Sequence, residues 1–441
     1  MAQVIINETA IGAGGSSERT TPAFRRLVLA SSLGSAIEHY DFFIYAFIAP
    51  IVFDVVFFPK LDPAVGLIAV YATFAIGFLA RPLGGMVFGH YGDRIGRKTV
   101  LTLTLLIMGV ASIAIGCLPS YPTIGVLAPI LLVTFRFLQG FAFGGEYMNA
   151  VTLNLESAPS ARRGFFASWV NASGPIGIII ATGLISLLTF YFSKDEFQSW
   201  VWRVPFLLSF VLVGVGVYIR LQVDESLLFK AAQTEHKIPQ VPLLTVFRSW
   251  KKSTLIAILV NMVHSSFQYL VTIFVLGYAV RQLGVSQTGV TTGTMIANIV
   301  EMAAVPLVAF YSDRLGRRPL IMAGIALAAI WFPFYFQLVQ QKDVLLLMIA
   351  LVVSVGFIHA LIFGPEAAFT AELFPTEVRA TGSSLGKQLG IVLGGGIAPL
   401  VATSLMGPET GFTPVVIYFE VMALLAFIGV LLASESYKRA L

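Results

Sequence analysis

The chain has 441 residues, of which 57% are hydrophobic and 12% are charged, with a formal net charge of +5. Soluble domains carry roughly 25% charged residues, and the mean hydropathy here is +0.86. This balance excludes a soluble enzyme, a nucleic-acid binder and a disordered scaffold, so the mild basic excess must be explained by where the basic residues sit.

A membrane-spanning helix needs ~20 apolar residues. Long apolar runs argue against a transmembrane β-barrel, which shows weak alternating segments instead. Cys117 is the single cysteine, so no intrachain disulfide can form. Residues 1–24 are polar and Gly/Ser-rich, without the apolar core of a signal peptide, and read as a short disordered tail. Twelve apolar runs follow, at 27–58, 66–90, 99–118, 122–150, 164–192, 202–220, 253–280, 287–311, 319–338, 344–372, 380–405 and 412–434. The longest break, 221–252, carries Asp224, Glu225, Lys230, Glu235, His236 and Lys237 and reads as a solvated linker. It separates one six-helix bundle over 25–220 from a second over 253–436, with a short tail at 437–441.

Positive charge orients such a bundle. With the N-terminus inside, twenty Lys and Arg fall on the cytoplasmic side, Arg220 among them, and five (Lys60, Lys194, Arg203, Arg281, Lys342) on the other. Arg81, Arg136 and Lys387 lie within spans. Both termini are therefore expected in the cytoplasm of a plasma-membrane protein.

The chain repeats itself. Gly89-His-Tyr-Gly92-Asp93-Arg94-Ile95-Gly96-Arg97-Lys98 follows span 2, and Ala309-Phe-Tyr-Ser312-Asp313-Arg314-Leu315-Gly316-Arg317-Arg318 follows span 8, 220 residues later. Glu156-Ser-Ala-Pro159-Ser-Ala-Arg162-Arg163 after span 4 matches Glu372-Leu-Phe-Pro375-Thr-Glu-Val-Arg379 after span 10, offset by 216. Two motifs in one order at nearly one offset imply two homologous halves. Glycine permits the tight turn. Asp93 and Asp313 can cap a following backbone or pair with a cation, and Arg94, Arg97, Arg163, Arg314, Arg317 and Arg379 can hold carboxylates, Glu156 and Glu372 being the natural partners. Such clusters would latch one face of the bundle and release it on tilting.

The first motif resembles the loop 2–3 signature of the major facilitator superfamily. Further stretches narrow the resemblance to the metabolite:proton symporter family, nearest its shikimate and organic-acid branch: Glu38-His-Tyr-Asp41-Phe42, Arg81-Pro82-Leu83-Gly84-Gly85, Arg136-Phe-Leu-Gln139-Gly140 through Gly144-Gly145-Glu146, Trp202-Arg203-Val204-Pro205-Phe206 and Glu372-Leu-Phe-Pro375-Thr376. The resemblance covers residues 25–436. It implies an all-α membrane protein of twelve transmembrane helices in two pseudo-symmetric six-helix bundles, with a cavity lined by spans 1, 4, 7 and 10. It also implies alternating access and uptake driven by protons. Family substrates include shikimate, 2-oxoglutarate, citrate, dicarboxylates, proline and betaine. This chain departs from the family at Tyr147-Met148-Asn149, where Trp-Gly-Gly is usual, at Lys387, where an uncharged residue is frequent, and at Ala309, which replaces the glycine opening the second motif.

A charge at the bilayer centre costs ~2.5–3.5 kcal/mol on insertion scales and so needs a reason. Nine charged residues sit well inside spans: Glu38, Asp41, Arg81, Arg136, Glu146, Glu301, Glu366, Lys387 and Glu420. Helical spacing puts Glu38, Asp41 and Tyr45 on one face of span 1, and Arg136, Gln139, Phe143 and Glu146 on one face of span 4. It likewise groups Asn261, His264, Gln268 and Thr272 on span 7, and Ser384, Lys387, Gln388 and Ile391 on span 11. Arg136 is the first candidate to grip a substrate carboxylate, because guanidinium stays charged and donates in parallel pairs; a structural ion pair with Glu38 or Asp41 is the alternative. Lys387 offers a second cation from the other half, or else snorkels to the membrane edge. Gln139, Gln388, Tyr45, His264 and Gln268 complete the expected pocket. Asp41 and Glu38, then Glu146, are the candidates for proton coupling, with protonation of the span-1 acids releasing Arg136. Glu366 follows Gly364-Pro365 and reads as an answer to a broken backbone ladder. Gly386, Gly390 and Gly394 at four-residue spacing read as a packing surface.

The function expected is proton symport of a small organic acid by a functional monomer. Its partners are the organic anion, protons and the bilayer, with no nucleic acid, metal or cofactor. One alternative is symport of a zwitterionic osmolyte such as proline or betaine; relatives of that type carry a C-terminal coiled coil, and no heptads follow the last span here. A non-transporting sensor would need an output module. An enzyme would need a nucleophile–base pair, H-x-x-H ligand spacing or a phosphate loop, and no span or loop presents one.

Overall fold

Apolar length decides the architecture. The computed structural model describes residues 22–222, 224–235, 239–406 and 411–438. Most of the N-terminal tail, 1–21, lies outside these residues, as do His236 and Lys237 of the linker and 439–441 of the C-terminal tail. Among the described residues twelve helices are long and apolar enough to cross a membrane. Spans 1–6 are Phe24–Phe57, Ala72–Ile95, Arg97–Cys117, Leu127–Ser157, Ser160–Tyr191 and Arg203–Leu221. Spans 7–12 are Lys251–Val280, Thr288–Leu315, Arg317–Gln340, Val344–Glu372, Arg379–Leu405 and Thr413–Leu431. Their outer faces carry large apolar side chains such as Phe190, Phe210 and Leu400, each more than two-thirds exposed, which suits hydrocarbon rather than water.

Each half has its own core. In the first half, Phe53, Phe57, Trp202 and Phe206 pack edge-to-face near one end of spans 1 and 6. In the second, Phe267, Phe332 and Phe419 pack with tilted rings and Phe336 stands edge-to-face on Phe332. The halves meet where span 2 packs on span 11, span 5 on span 8, and spans 4 and 5 on span 10. Small residues permit the approach. A Cβ on Gly89 would stand 2.9 Å from Thr381 Cα, and one on Gly85 2.9 Å from Gln388 Cγ. Inside the second half, Gly386, Gly390 and Gly394 face span 7, where a Cβ on Gly390 would meet Asn261 Cβ at 2.5 Å.

The motif after span 2 is barely a loop. Helix continues through Asp93 and Arg94 to Ile95, and the next helix starts at Arg97. The whole reversal is made at Gly96, with φ 104° and ψ 151°. Gly316 does the same in the second half, with φ 100° and ψ 158°. Only glycine adopts this backbone without strain. The linker holds two short helices, Leu227–Thr234 and Pro242–Ser249, which bury Phe229, Ala232 and Val246. Spans 7, 10 and 11 contain π-helical stretches at Leu270–Phe274, Val352–His359 and Val392–Gly396. Such wide turns rotate the residues that follow relative to α-helical spacing.

Gly316→Ala should cost about 1–3 kcal/mol of stability from the backbone alone, and its Cβ would also stand 2.7 Å from Glu435 Oε2. The expected outcome is a lower apparent Tm in detergent; an unchanged Tm would contradict this account of the turn.

Candidate functional site

Three groups of buried charge organise the interior. The first lies at the motif side of the bundle. Asp93 accepts the backbone N–H groups of Ala380 (3.1 Å) and Thr381 (2.8 Å), the first turn of span 11. Asp313 accepts those of Gly164 (2.8 Å) and Phe165 (2.9 Å), the first turn of span 5. Neither helix has a side-chain cap of its own, with Val378 and Arg162 at the capping positions. Each half thus caps a helix of the other. Arg97 holds Asp93 and Glu156, both at 3.2 Å, and donates to the Thr376 carbonyl across the interface at 2.8 Å. Arg379 closes this set on Glu156 at 2.7 Å. In the second half, Arg317 holds Asp313 at 2.7 Å and Glu372 at 3.3 Å, and Ser436 donates to Glu372. Two members of the expected latch do not join it. Arg94 and Arg314 are exposed, because one residue beyond an inward Asp points a helix outward, and Arg314 lies over the Phe310 ring. Arg163 is half-buried at the start of its helix.

A matching pair went unread in the sequence. Glu225 accepts the N–H of Lys98 at 3.0 Å, and Glu435 those of Arg317 (3.0 Å) and Arg318 (3.1 Å). Each glutamate therefore caps a helix of its own half. The available signal was a repeated Glu-Ser pair, 225–226 and 435–436, just after spans 6 and 12.

The second group lies in the first half. Arg136 is fully buried, with its guanidinium carbon over the rings of Tyr45 (4.2 Å), Phe42 (4.4 Å) and Phe74 (4.9 Å). Gly77 leaves it room, since a Cβ there would stand 2.8 Å from Nε. Nη1 donates to Gln139 at 3.2 Å, and Gln139 donates to Ser112 at 2.8 Å. Among the described residues, Nε and Nη2 of Arg136 and Nε of Arg81 have no hydrogen-bond acceptor. Arg81 stacks on the same Phe42 ring (4.4 Å) and on Phe78 and Phe143 (4.2 Å each). Two buried guanidiniums thus share one phenylalanine. Arg81 was in the short list of intramembrane charges without a role.

The structure does not join Arg136 to the span-1 acids. Arg220, counted from sequence among the cytoplasmic charges, is buried and is the cation nearest Glu38 instead. It pairs with Glu146 and approaches Glu38 at 4.0 Å. Asp41 accepts from Ser209, also on span 6. The span-1 stripe therefore splits: Glu38 and Asp41 turn to span 6, while Tyr45 turns to span 2 and meets Thr73 Oγ1 at 2.5 Å. Release of Arg136 by protonation of those acids has no contact to act through.

The third group lies in the second half. Lys387 does not snorkel: it is buried and donates to Glu366 at 2.8 Å. Glu366 in turn accepts from Thr370 at 2.9 Å, so it answers a lysine rather than a broken ladder. Lys387 also meets His264 Nε2 at 3.3 Å, and His264 Nδ1 meets His359 Nε2 at 3.3 Å. His359 Nδ1 meets Glu301. His359 was missed from the sequence. Lys387 lies over the Tyr147 ring of the other half at 4.6 Å, and Tyr147 donates to Asn171. Gln388 reaches across to the Gly144 carbonyl at 3.0 Å, bridging the halves. Gln268, half-buried, lies one turn beyond His264 and outside this network; its carbonyl accepts from Thr272 at 2.6 Å. Asn149 is held to the Gly145 carbonyl at 2.7 Å and to that of Phe88 at 3.3 Å, fixing span 4 to span 2.

Comparison with known proteins gives these groups their setting. The family model described as Major Facilitator Superfamily matches residues 31–399 and, in a second placement, 257–440. The chain belongs to the major facilitator superfamily. Among its relatives, the inner membrane metabolite transport protein YhjE of Escherichia coli K12 is 36% identical over 94% of this chain and 95% of its own. The shikimate transporter of the same organism is 35% identical with the same coverage. Its proline/betaine transporter is 31% identical over 95% of this chain and 85% of its own. The proton:xylose symporter XylE, solved with 6-bromo-6-deoxy-D-glucose, superimposes with a TM-score of 0.75 at 17% identity, covering 95% of this chain and 97% of that one. The protein is a membrane transporter and not an enzyme.

With the motif side latched, Ser384 lies buried between spans 2 and 11. A borrowed cap contributes about 0.5–2 kcal/mol. Asp93→Ala with Asp313→Ala should therefore raise the maleimide reactivity of Ser384→Cys about tenfold in a Cys117→Ser background, a shift of about 1.4 kcal/mol. Equal reactivity would contradict the latch.

Proposed function

We propose that this transporter imports a small organic carboxylate together with protons, by alternating access. The observation that carries the reading is Arg136: a guanidinium buried in the first half, with two nitrogens lacking an acceptor and, among the described residues, no carboxylate paired with it. A buried cation without an anion is costly. An incoming carboxylate would relieve that cost by accepting from Arg136, with Arg81 across the Phe42 ring as the second cation. Gln139 and Tyr45 hold Arg136 in place. Lys387 is engaged by Glu366, so it enters substrate binding only if that pair opens. The 36% and 35% identical relatives, a metabolite and a shikimate transport protein, support the class. A quaternary ammonium would seek aromatic faces, but those of Phe42, Tyr45 and Phe74 already cover Arg136, which favours an anion over a betaine.

The latch sits on the side that bears most of the Lys and Arg. By the charge rule that side is cytoplasmic, both termini lie inside, and the protein works as a monomer in a bacterial inner membrane. The captured state is closed to the cytoplasm. Substrate entering from outside draws the halves together, the Asp93 and Asp313 caps are given up, and cargo leaves inward. The proton gradient is the energy source, with no cofactor. In the first half Glu38, Asp41 and Glu146 are the proton-coupling candidates, since Glu38 and Glu146 share the buried cation Arg220 and Asp41 lies buried on the same face of span 1, accepting from the Ser209 hydroxyl.

Arg136→Gln removes one charged donor set, about 1.5–3 kcal/mol, so the KM for shikimate in proteoliposomes should rise about 10–100-fold. Arg136→Lys should rescue only part of this, lacking the planar fork. Uptake by Arg136→Gln equal to wild type would overturn the anion anchor.

A further inference from the structure

The second half contains a line of groups that the anion site does not use. Lys387 Nζ, His264 Nε2 and Nδ1, His359 Nε2 and Nδ1, and Glu301 follow one another across spans 11, 7, 10 and 8. All four residues are buried. Their donors and acceptors can be assigned from both ends. An ammonium only donates, so Nε2 of His264 accepts and its Nδ1 carries hydrogen. A carboxylate only accepts, so Nδ1 of His359 carries hydrogen and its Nε2 accepts. The two assignments meet at the middle bond, His264 Nδ1–H to His359 Nε2, and agree there. Had either ring faced the other way, two donors or two acceptors would confront each other. The π-helical stretch Val352–His359 ends on the histidine and presents it to this line.

We propose that these four residues form a reversible proton relay, with Lys387 as its entrance at the interface between the halves and Glu301 as its store. The proposal rests on the symport reading above. In one passage Lys387 gives a proton to His264 Nε2. His264 gives its Nδ1 proton to His359 Nε2, and His359 gives its Nδ1 proton to the Glu301 carboxylate. Three N–H bonds break, while two N–H bonds and one O–H bond form. Lys387 is left as an amine, both rings as Nε2–H tautomers and Glu301 as an acid. A proton arriving from the cavity restores the Lys387 ammonium, so the net change is one proton held at Glu301. The reverse order releases it. The other polar groups facing the relay are Glu366, which takes the Lys387 ammonium at 2.8 Å, and Tyr147, whose ring lies 4.6 Å from it. Phe267 and Phe363 stack against the histidines. The entrance touches the opposite half through Tyr147, so rocking of the halves would expose or seal it.

The test has two arms. In the first, the full chain labelled with 15N-histidine is studied by NMR in lipid nanodiscs without substrate, with signals assigned through His264→Gln and His359→Gln. Both rings are expected neutral and protonated at Nδ1, and Glu301→Gln is expected to shift both. A resting Nε2–H tautomer at either ring, or a Glu301→Gln spectrum unchanged at His264, overturns the relay. In the second arm, shikimate is the probe in proteoliposomes. Glu301→Gln and His359→Gln should lower pH-gradient-driven accumulation at least tenfold more than shikimate exchange without a gradient, with Glu301→Asp restoring part of it. Accumulation unchanged, or lost in step with exchange, overturns the coupling role. Wild type that fails to accumulate shikimate in a pH gradient counts against the symport reading, and the tautomer measurement then decides the relay.

Discussion

The helices Arg163–Tyr191 of span 5 and Arg379–Ile391 of span 11 each begin with backbone N–H groups that no side chain of their own half satisfies. The carboxylates of Asp313 and Asp93, from the opposite halves, occupy those positions. Orphan donors at a helix start need a partner, and the positive end of the helix dipole favours an anion there. The two halves are therefore held together in part by borrowed caps, beside apolar packing such as that of Ala172 with Val305 and Ala360. Each cap is worth about 0.5–2 kcal/mol, small enough for ligand binding to outweigh it. The Arg97–Glu156–Arg379 and Arg317–Glu372 sets keep the aspartates aimed and balance the charge.

Behind this latch the two halves handle buried charge differently. The second half pairs its cation internally: Lys387 meets Glu366, and a histidine line leads on to Glu301. The first half keeps Glu38 and Glu146 with Arg220 and leaves Arg136 and Arg81 surrounded by aromatic rings. Aromatic faces attract a guanidinium but supply no acceptor for its N–H groups. An anion would supply one. On the proposed reading the anion site and one set of proton-coupling acids lie in the first half and the histidine relay in the second, and the halves touch where Lys387 meets Tyr147 and Gln388 meets the Gly144 carbonyl.

The fold was legible in the sequence because hydropathy acts over windows of twenty residues, which small errors do not disturb. The ion-pair clusters at the motif side were legible because Asp93, Arg97 and Glu156 recur as Asp313, Arg317 and Glu372. Pairing inside the membrane was not. Periodicity says which face of a helix a residue occupies, and says nothing of the neighbour that face meets. Glu38 and Asp41 thus share a face with Tyr45 yet turn to span 6, and Arg220, at the end of that span, passed for a loop charge. His359 lies in a π-helical stretch, where α-helical spacing no longer locates a side chain, so its line to His264 and Glu301 had no sequence signature.

The central claim is that a proton gradient drives a carboxylate inward through this chain. Proteoliposomes with an inside-alkaline pH gradient, offered radiolabelled shikimate, other organic acids and glycine betaine, test it most directly. The account predicts that at least one organic acid accumulates above its external concentration, that an uncoupler abolishes the accumulation, and that glycine betaine is not concentrated. Accumulation of an acid that persists with the uncoupler, or concentration of betaine alone, would contradict it.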